Sequence, residues 1–365
     1  MDHDCLLDPS DSSPDVRRRL ADWLRLRRAF GPGPREALQA FRELGSPRRA
    51  LEERVDAWPD VAADLRSLGR CGARVWPIDA PDFPARLGQL SDAPPLLFAR
   101  GHVGALAASR PVVAIVGARA ASAYGLSVAR RLASALAERG VTIVSGLARG
   151  IDGAAHRAAL ESGGETVGVL ACGPDEIYPP EHADLAWEIE RSGALLTEFP
   201  PGTPPLPYFF PLRNRIISAL SQVVVVVEAR EQSGSLHTAR HALEQGVEVM
   251  AVPGPVDRAG HRGSNRLLRD GAAPVLGVED VLDRLAPSVR AASPRRAPGP
   301  PLSAPARQLV GVLESGSETR DRLAESLGWP PGELAAALQE LEMHGRAQLE
   351  RDGRWRAVDP EPSGD

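Results

Sequence analysis

Two periodicities alternate through the middle of the chain. Val112-Val113-Ala114-Ile115-Val116 is an unbroken apolar run, the pattern of a strand buried on both faces. From about Tyr124 to Arg139 the spacing changes, and Leu126, Ala129, Leu132, Ala133 and Leu136 fall on one side of a predicted helix that Gly140 ends. Val141–Val144 is the next strand, Ala154–Ser162 a helix stopped by Gly163-Gly164, and Glu165–Ala171 a third strand. Glu181–Ser192 reads as a helix, Ala194–Thr197 as extended, Leu212–Leu220 as a helix, and Val223–Val227, five valines, as the clearest buried strand. Leu236–Gln245 (helix), Val247–Val252 (strand) and two short segments, Asn265–Asp270 and Glu279–Leu285, follow. Strands alternating strictly with helices imply right-handed βαβ units and an α/β doubly wound parallel sheet.

The flanks read differently. Residues 1–13 are polar and acidic, as expected for a disordered tail. Residues 14–60 form a helical domain, with Leu20, Trp23, Leu24 and Leu26 on one face and Gly31-Pro32-Gly33-Pro34 as a break. The turn Phe30-Gly31-Pro32-Gly33 is similar to a helix-hairpin-helix turn, whose amides can hold a DNA phosphate; a plain helical packing unit explains it equally well. Residues 61–110 read as an irregular connector packed on the core and ending in the strand Leu96–Ala99, and 111–286 as the central domain. Residues 287–304 are a linker rich in Pro, Ala, Ser and Arg. Residues 305–358 follow the order of a winged helix: helices Ala306–Glu314, Thr319–Leu327 and Pro331–His344, then a hairpin of Ala347–Glu350 and Trp355–Val358 around Asp352-Gly353, with 359–365 as a tail.

Composition narrows the chemistry. The net charge is −5, and all 43 basic residues are arginine. A Walker A loop needs a lysine at the β/γ-phosphates, so that class of ATPase is excluded. Any phosphate must be held by arginine forks, backbone amides or hydroxyls. Cys5, Cys71 and Cys172 match no metal spacing and suit a reducing compartment. No apolar run is long enough to span a bilayer, and the acidic Met1-Asp2-His3-Asp4-Cys5 is unlike a signal peptide, so a cytoplasmic protein is expected.

Candidate chemistry gathers in loops at the expected carboxyl edge of the sheet, where open α/β sheets bind anions. The first loop carries Gly117, Arg119 and Ser122; the second carries Gly146 and Arg149. Arg119 stands where a dinucleotide fingerprint needs its second glycine, and the second strand ends in Ser145-Gly146 without the acid that binds a ribose. NAD or FAD is therefore not expected, nor any other cofactor. Ser122 suits an N-cap, and Arg119 suits either a phosphate beside it or an internal carboxylate. Asp152 and His156 share a helix face, but no third metal ligand follows; a capping aspartate and a packed histidine fit better. Arg213-Asn214-Arg215 follows Phe209-Phe210-Pro211 and joins charge to aromatic faces, the combination single-strand binders use. Ser235 and Asn265 sit in further small turns of similar chemistry.

Together these motifs resemble the DprA/Smf family of bacterial DNA-processing proteins. The resemblance rests on Ile115–Arg119, Ser145–Asp152 with Ala155-His156, Tyr178-Pro179, Phe210–Ile217, Ser233-Gly234-Ser235, Pro253-Gly254, Gly263-Ser264-Asn265 and Gly271-Ala272, and covers nearly the whole chain. It implies an extended Rossmann-like fold that binds single-stranded DNA without catalysis or metal, forms a homodimer, and helps load the RecA recombinase during natural transformation. It also implies that Arg119, Arg213, Asn214 and Arg215 hold the DNA backbone. Two positions depart from the pattern: Pro180 stands where relatives often carry a basic residue, and His237 where they are usually aliphatic.

The alternative is a Rossmann-type nucleoside-monophosphate phosphoribohydrolase. Its catalytic glutamate would fall on His241, and the nearest acid, Glu244, lies almost a turn further on. A regulator that binds DNA through the winged helix is disfavoured by charge: Ala306–Val358 holds seven arginines against nine acids, with Glu333, Glu340 and Glu342 on the candidate recognition helix.

Overall fold

The structure, a computed structural model, describes residues 6–31, 34–54, 56, 58–285, 303–314, 316–343, 347–349 and 353–357. The chain forms two compact units, Met1–Arg295 and Arg296–Asp365.

The first unit begins with helices α1 (Pro14–Ala29), α2 (Pro34–Leu44), α3 (Pro47–Arg54) and α4 (Ala62–Cys71), then β1 (Arg74–Pro77), α5 (Ala85–Gly88) and β2 (Leu96–Gly101). The βα alternation follows: β3 (Val112–Val116), α6 (Ala123–Ala137), β4 (Thr142–Ser145), α7 (Ile151–Glu161), β5 (Thr166–Val169), α8 (Ala183–Ser192), β6 (Ala194–Thr197), α9 (Phe209–Leu220), β7 (Val223–Val226), α10 (Ser235–Glu244), β8 (Glu248–Ala251), α11 (Arg262–Arg269), β9 (Ala273–Pro274) and α12 (Val278–Leu282). They build one nine-stranded sheet in the order β1-β2-β6-β5-β4-β3-β7-β8-β9. β6 through β9 run parallel, whereas β2 is antiparallel to β6 and β1 to β2. The doubly wound sheet is therefore mostly parallel, with an antiparallel edge.

The apolar runs divide between two cores. Val112, Ala114, Val116, Val224 and Val226 face one core with Ile216, Ile217 and Leu220 of α9 and Ala239 and Ala242 of α10. Val113, Ile115, Val223, Val225 and Val227 face the other with Val128, Leu132 and Leu136 of α6 and residues of α7 and α12. Alternate side chains of a strand point to opposite faces, so a strand covered on both sides has no polar position to spare.

Two expectations about the flanks are corrected. The expected strand Leu96–Ala99 is present as β2, but the rest of 61–110 is not an irregular connector: α4, β1 and α5 precede it, and β1 and β2 extend the sheet itself. Nor is 1–13 a free tail throughout: Leu7 pairs with Val75 through bonds of 2.8 and 3.0 Å, and Leu6 and Leu7 are buried, which gives their apolar surface a place out of water. The N-terminal helices share a core with this edge, in which Leu20, Trp23, Leu24 and Leu26 meet Val75, Leu96 and Phe98. Met1–Cys5 lie outside the described residues.

The second unit holds α13 (Ala304–Glu314), β10 (Glu318–Thr319), α14 (Arg320–Leu327), α15 (Pro331–Met343), β11 (Ala347–Leu349) and β12 (Arg354–Ala357). Leu309, Leu313, Leu323, Leu334, Leu338 and Leu341 form its core. β10 adds a third strand, order β10-β12-β11, that the helix–helix–helix–hairpin expectation lacked. Most of the expected linker (residues 287–302), His344, Glu350, Asp352, Val358 and the tail 359–365 lie outside the described residues. No described helix is long and apolar enough to cross a membrane.

Candidate nucleic-acid interface

The chain leaves β3 in both directions across the sheet: β4, β5 and β6 lie to one side, β7, β8 and β9 to the other. The loops after β3 and β7 consequently diverge, and a crevice opens between them at the carboxyl edge. A cavity of about 660 Å³ occupies this crevice. Gly117 and Arg119 line it from the β3 loop, Arg213 and Asn214 from α9, and Arg230, Gln232, Ser233, Gly234 and Ser235 from the β7 loop and the start of α10. Five of the ten expected residues, Gly117, Arg119, Arg213, Asn214 and Ser235, thus converge on one cavity.

Their states differ. Arg119 is exposed, and its guanidinium lies 4.7 Å from the Phe210 ring centroid, a cation–π contact that leaves the charge facing solvent. Arg213 is 3% exposed. Its Nη1 donates to the carbonyl of Gly146 at 2.8 Å and to that of Val169, and its Nε donates to Asn214 Oδ1 at 3.3 Å. It therefore ties the ends of β4 and β5 to α9. Burial pushes its pKa down to about 10, so it stays charged at neutral pH. Asn214 passes the chain of bonds onward, from Nδ2 to the carbonyl of Gly234 at 3.2 Å. Gly146 serves as packing beneath Arg213, since a Cβ there would lie 2.6 Å from Nη2. Gly117 lets Ile151 approach; an added Cβ would meet Ile151 Cγ1 at 2.6 Å.

The other expected residues are placed elsewhere. Arg215 is not at the cavity: it is 3% exposed, with Nη2 at 2.8 Å from Glu198 Oε2 and Nε at 3.5 Å from Asp92 Oδ2. Two residues along an α-helix turn through about 200°, so Arg213 and Arg215 cannot face one groove. Ser122 caps α6, accepting from Gly125 N at 3.1 Å, but its hydroxyl donates to Glu228 Oε2 at 2.6 Å and its amide donates to the same oxygen at 3.0 Å. An internal carboxylate, 3% exposed, already occupies the positive end of α6. Arg149 pairs with Glu181 on the surface. Asn265 spends its amide on the backbone of Gly254, at 3.0 and 3.1 Å. At the start of α10, the Leu236 and His237 amides donate to Ser233 and Gly234 carbonyls, both at 3.1 Å.

Sequence reasoning missed Arg230. It is exposed, lines the cavity across from the β3 loop, and makes no side-chain ion pair or hydrogen bond to a described residue. The available signal was its place, four residues after β7 ends; reading it needed the strand order. His237, the unusual residue of its segment, also lines the cavity and is exposed.

Asp152 and His156 are structural groups. Asp152 accepts the Gly146 amide at 3.1 Å, and burial raises its pKa. His156 Nδ1 meets Thr166 Oγ1 at 2.7 Å, and that hydroxyl donates to Ile143 O. No cluster of metal-ligating residues occurs among the described residues. In the helix-hairpin-helix candidate, the Phe30 and Gly31 amides donate back to Leu26 and Arg28 carbonyls; Pro32 and Gly33 lie outside the described residues.

Comparison with known proteins gives the arrangement its family. A family model described as DNA recombination-mediator protein A matches residues 74–286, and one described as DprA winged helix domain matches residues 293–353. The chain belongs to the DprA family. The family match starts at the first residue of β1, consistent with the antiparallel edge being part of the central domain. Among relatives, Protein Smf of Escherichia coli is 41% identical over 84% of this chain and 81% of its own length. A putative DNA processing protein DprA of Mycobacterium tuberculosis is 39% identical over 89% and 88%. The X-ray structure of DprA from Streptococcus pneumoniae is 33% identical, with a TM-score of 0.65, covering 73% of this chain and 98% of that one. DprA from Helicobacter pylori, whose structure is described as showing a single-stranded DNA binding mode, is 31% identical with a TM-score of 0.51, covering 55% and 91%. This DprA-family chain is thus a DNA-processing, recombination-mediator protein with a winged helix domain at its C-terminal end.

Proposed function

We propose that the chain binds single-stranded DNA, independently of sequence, in the crevice between the β3 and β7 loops. The observation that carries this is the pairing of Arg119 and Arg230, exposed on opposite loops of one cavity whose floor holds the fixed charge of Arg213. Arg119 and Arg230 grip phosphates, while Arg213 and Asn214 set the field and shape beneath them. Family membership supports the wider role: a cytoplasmic, non-catalytic homodimer that protects single strands and helps load the RecA recombinase.

A gel shift across a salt series, comparing single-stranded with duplex DNA, tests the reading. Affinity for single strands should exceed that for duplex and fall steeply with salt. Arg119→Ala should weaken binding and flatten the logarithmic salt slope by about 0.7, the value of one phosphate contact on a single strand. Wild-type affinity and slope in both Arg119→Ala and Arg230→Ala would remove the crevice from the account. Deleting the chain after Pro287 should leave single-strand affinity mostly intact, because the winged unit is net acidic. The phosphoribohydrolase reading gains no support: Glu244 is exposed, sits 3.6 Å from His241, and does not line the cavity.

A further inference from the structure

Phe209 and Phe210, where the sequence suggests the aromatic faces a single strand needs, are both already engaged within the fold. Phe209 is 4% exposed and packs 4.2 Å from Phe199 between ring centroids. Phe210 is half-buried, with Arg119 at 4.7 Å, Arg213 at 6.0 Å and the Tyr178 ring at 5.6 Å. Its ring is taken up in holding the two cavity arginines.

The preceding residue is free by contrast. Tyr208 is 57% exposed, and its ring leans on Phe209 at 4.3 Å between centroids and 57° between planes. Pro207, Phe210 and Pro211, on either side of it in sequence, all line the cavity. Leu212, one turn further along the same side of α9, is 43% exposed. A large ring and an aliphatic side chain therefore stand uncovered next in sequence to residues that line a cationic crevice.

We propose that Tyr208, flanked by Leu212, is a base-stacking platform that receives an unpaired nucleobase from the strand whose phosphates lie in the crevice. The inference rests on the proposed single-strand binding and adds the element that selects single strands. A chain with its phosphates turned toward Arg119 and Arg230 turns its bases outward. An unpaired base can then lay its face on the ring and remove apolar surface from water. Bases within a duplex keep both faces stacked on their neighbours and offer none. Because Phe209 already holds the tyrosine ring in place, little rotamer freedom is lost on stacking.

Fluorescence anisotropy with two oligomers of equal length tests this, one oligo(dT) and one an abasic chain with the same phosphates. The wild type should prefer oligo(dT). Tyr208→Ala should lose about 5- to 100-fold in affinity for oligo(dT), the range that stacking one base supports, while affinity for the abasic chain and the salt slope hold. Tyr208→Phe should bind like the wild type. The proposal is overturned if Tyr208→Ala binds oligo(dT) unchanged, if it loses both oligomers equally, or if Tyr208→Phe loses as much as alanine. Arg119→Ala in the same assay separates the two ideas: its failure to weaken either oligomer would sink the crevice reading, whereas a loss on both together with a neutral Tyr208→Ala would sink only the platform.

Discussion

Arg119 and Arg230 sit in loops at the crevice with exposed side chains that make no ion pair or hydrogen bond to a described residue, whereas Arg213 and Arg215 sit on α9 at 3% exposure and are bonded to the protein. All four carry the same charge. A phosphate can meet Arg119 or Arg230 by displacing water alone. To be gripped directly by Arg213 or Arg215 it would have to replace internal bonds made in a low-dielectric interior, where an unpaired partner is expensive. The difference separates grip from framework. On the proposed reading the loop arginines make the contacts to phosphate, while the helix arginines hold the loops and strand ends in register.

The sharpest way to break that division is through Glu198, which is 2% exposed. Its carboxylate meets Arg215, and its carbonyl accepts from Arg27 Nε of α1 at 3.2 Å, so it joins the N-terminal helices to the underside of α9. Glu198→Ala leaves Arg215 buried with Asp92, at 3.5 Å, as its one remaining carboxylate among the described residues. The expected loss is about 3–5 kcal/mol of stability, read by chemical denaturation. The salt slope of single-strand binding by the folded variant should stay at the wild-type value. A stable Glu198→Ala protein with a flattened slope would instead make Arg215 a DNA contact.

His156 tests the framework from its uncharged side. Burial pushes its pKa down to about 3, against about 6.5 for histidine in an unfolded chain. Between those values the unfolded state binds the extra proton. Stability is therefore complete above about pH 6.5 and falls as pH drops toward 3, by at most about 1.4 kcal/mol per pH unit from this one group. Thr166 Oγ1 already donates to Ile143 O, so Nδ1–H donates to it and Nε2 stays unprotonated, buried and without a partner among the described residues. Urea melts at pH 7, 5.5 and 4.5 should show a shallower acid decline in His156→Gln; an identical decline would show that other groups set the acid limit.

Much of the framework was legible because its signals are local. Five consecutive valines can only be a buried strand, and the glycine-bounded helices between strands fix the βα order. Of the antiparallel edge, only the strand Leu96–Ala99 was legible; β1 and the pairing with β6 were not. β1 and β2 lie among Pro77, Pro81, Pro84, Pro94 and Pro95, and their partner β6 is remote in sequence. The site was half legible. Arg119 was singled out from its loop and Arg213 from its place after Phe209-Phe210-Pro211, and both line the cavity, but Arg230 required knowing that the chain reverses across β3. Arg215 was misplaced although helical geometry alone argues against it: the predicted helix Leu212–Leu220 already put it on the far side from Arg213. Ser122 looked like an open helix end because its occupant, Glu228, is 106 residues away.

Arg149 sharpens the comparison from the exposed side, with the smallest expected effect. Its side chain is 56% exposed, yet it is paired with Glu181, itself 48% exposed. If exposure alone made a gripping residue, Arg149→Ala would match Arg119→Ala in an anisotropy titration with oligo(dT). If the absence of an internal partner is what matters, Arg149→Ala should change affinity by less than about twofold, as expected when an exposed pair is already screened. Its melting temperature should not move. Glu181→Gln should then raise single-strand affinity and steepen the salt slope, because it releases a guanidinium beside the crevice loops without disturbing the fold. Arg149→Ala as damaging as Arg119→Ala would mean that a phosphate outcompetes Glu181, and the line between grip and framework would have to be drawn at burial rather than at partnership.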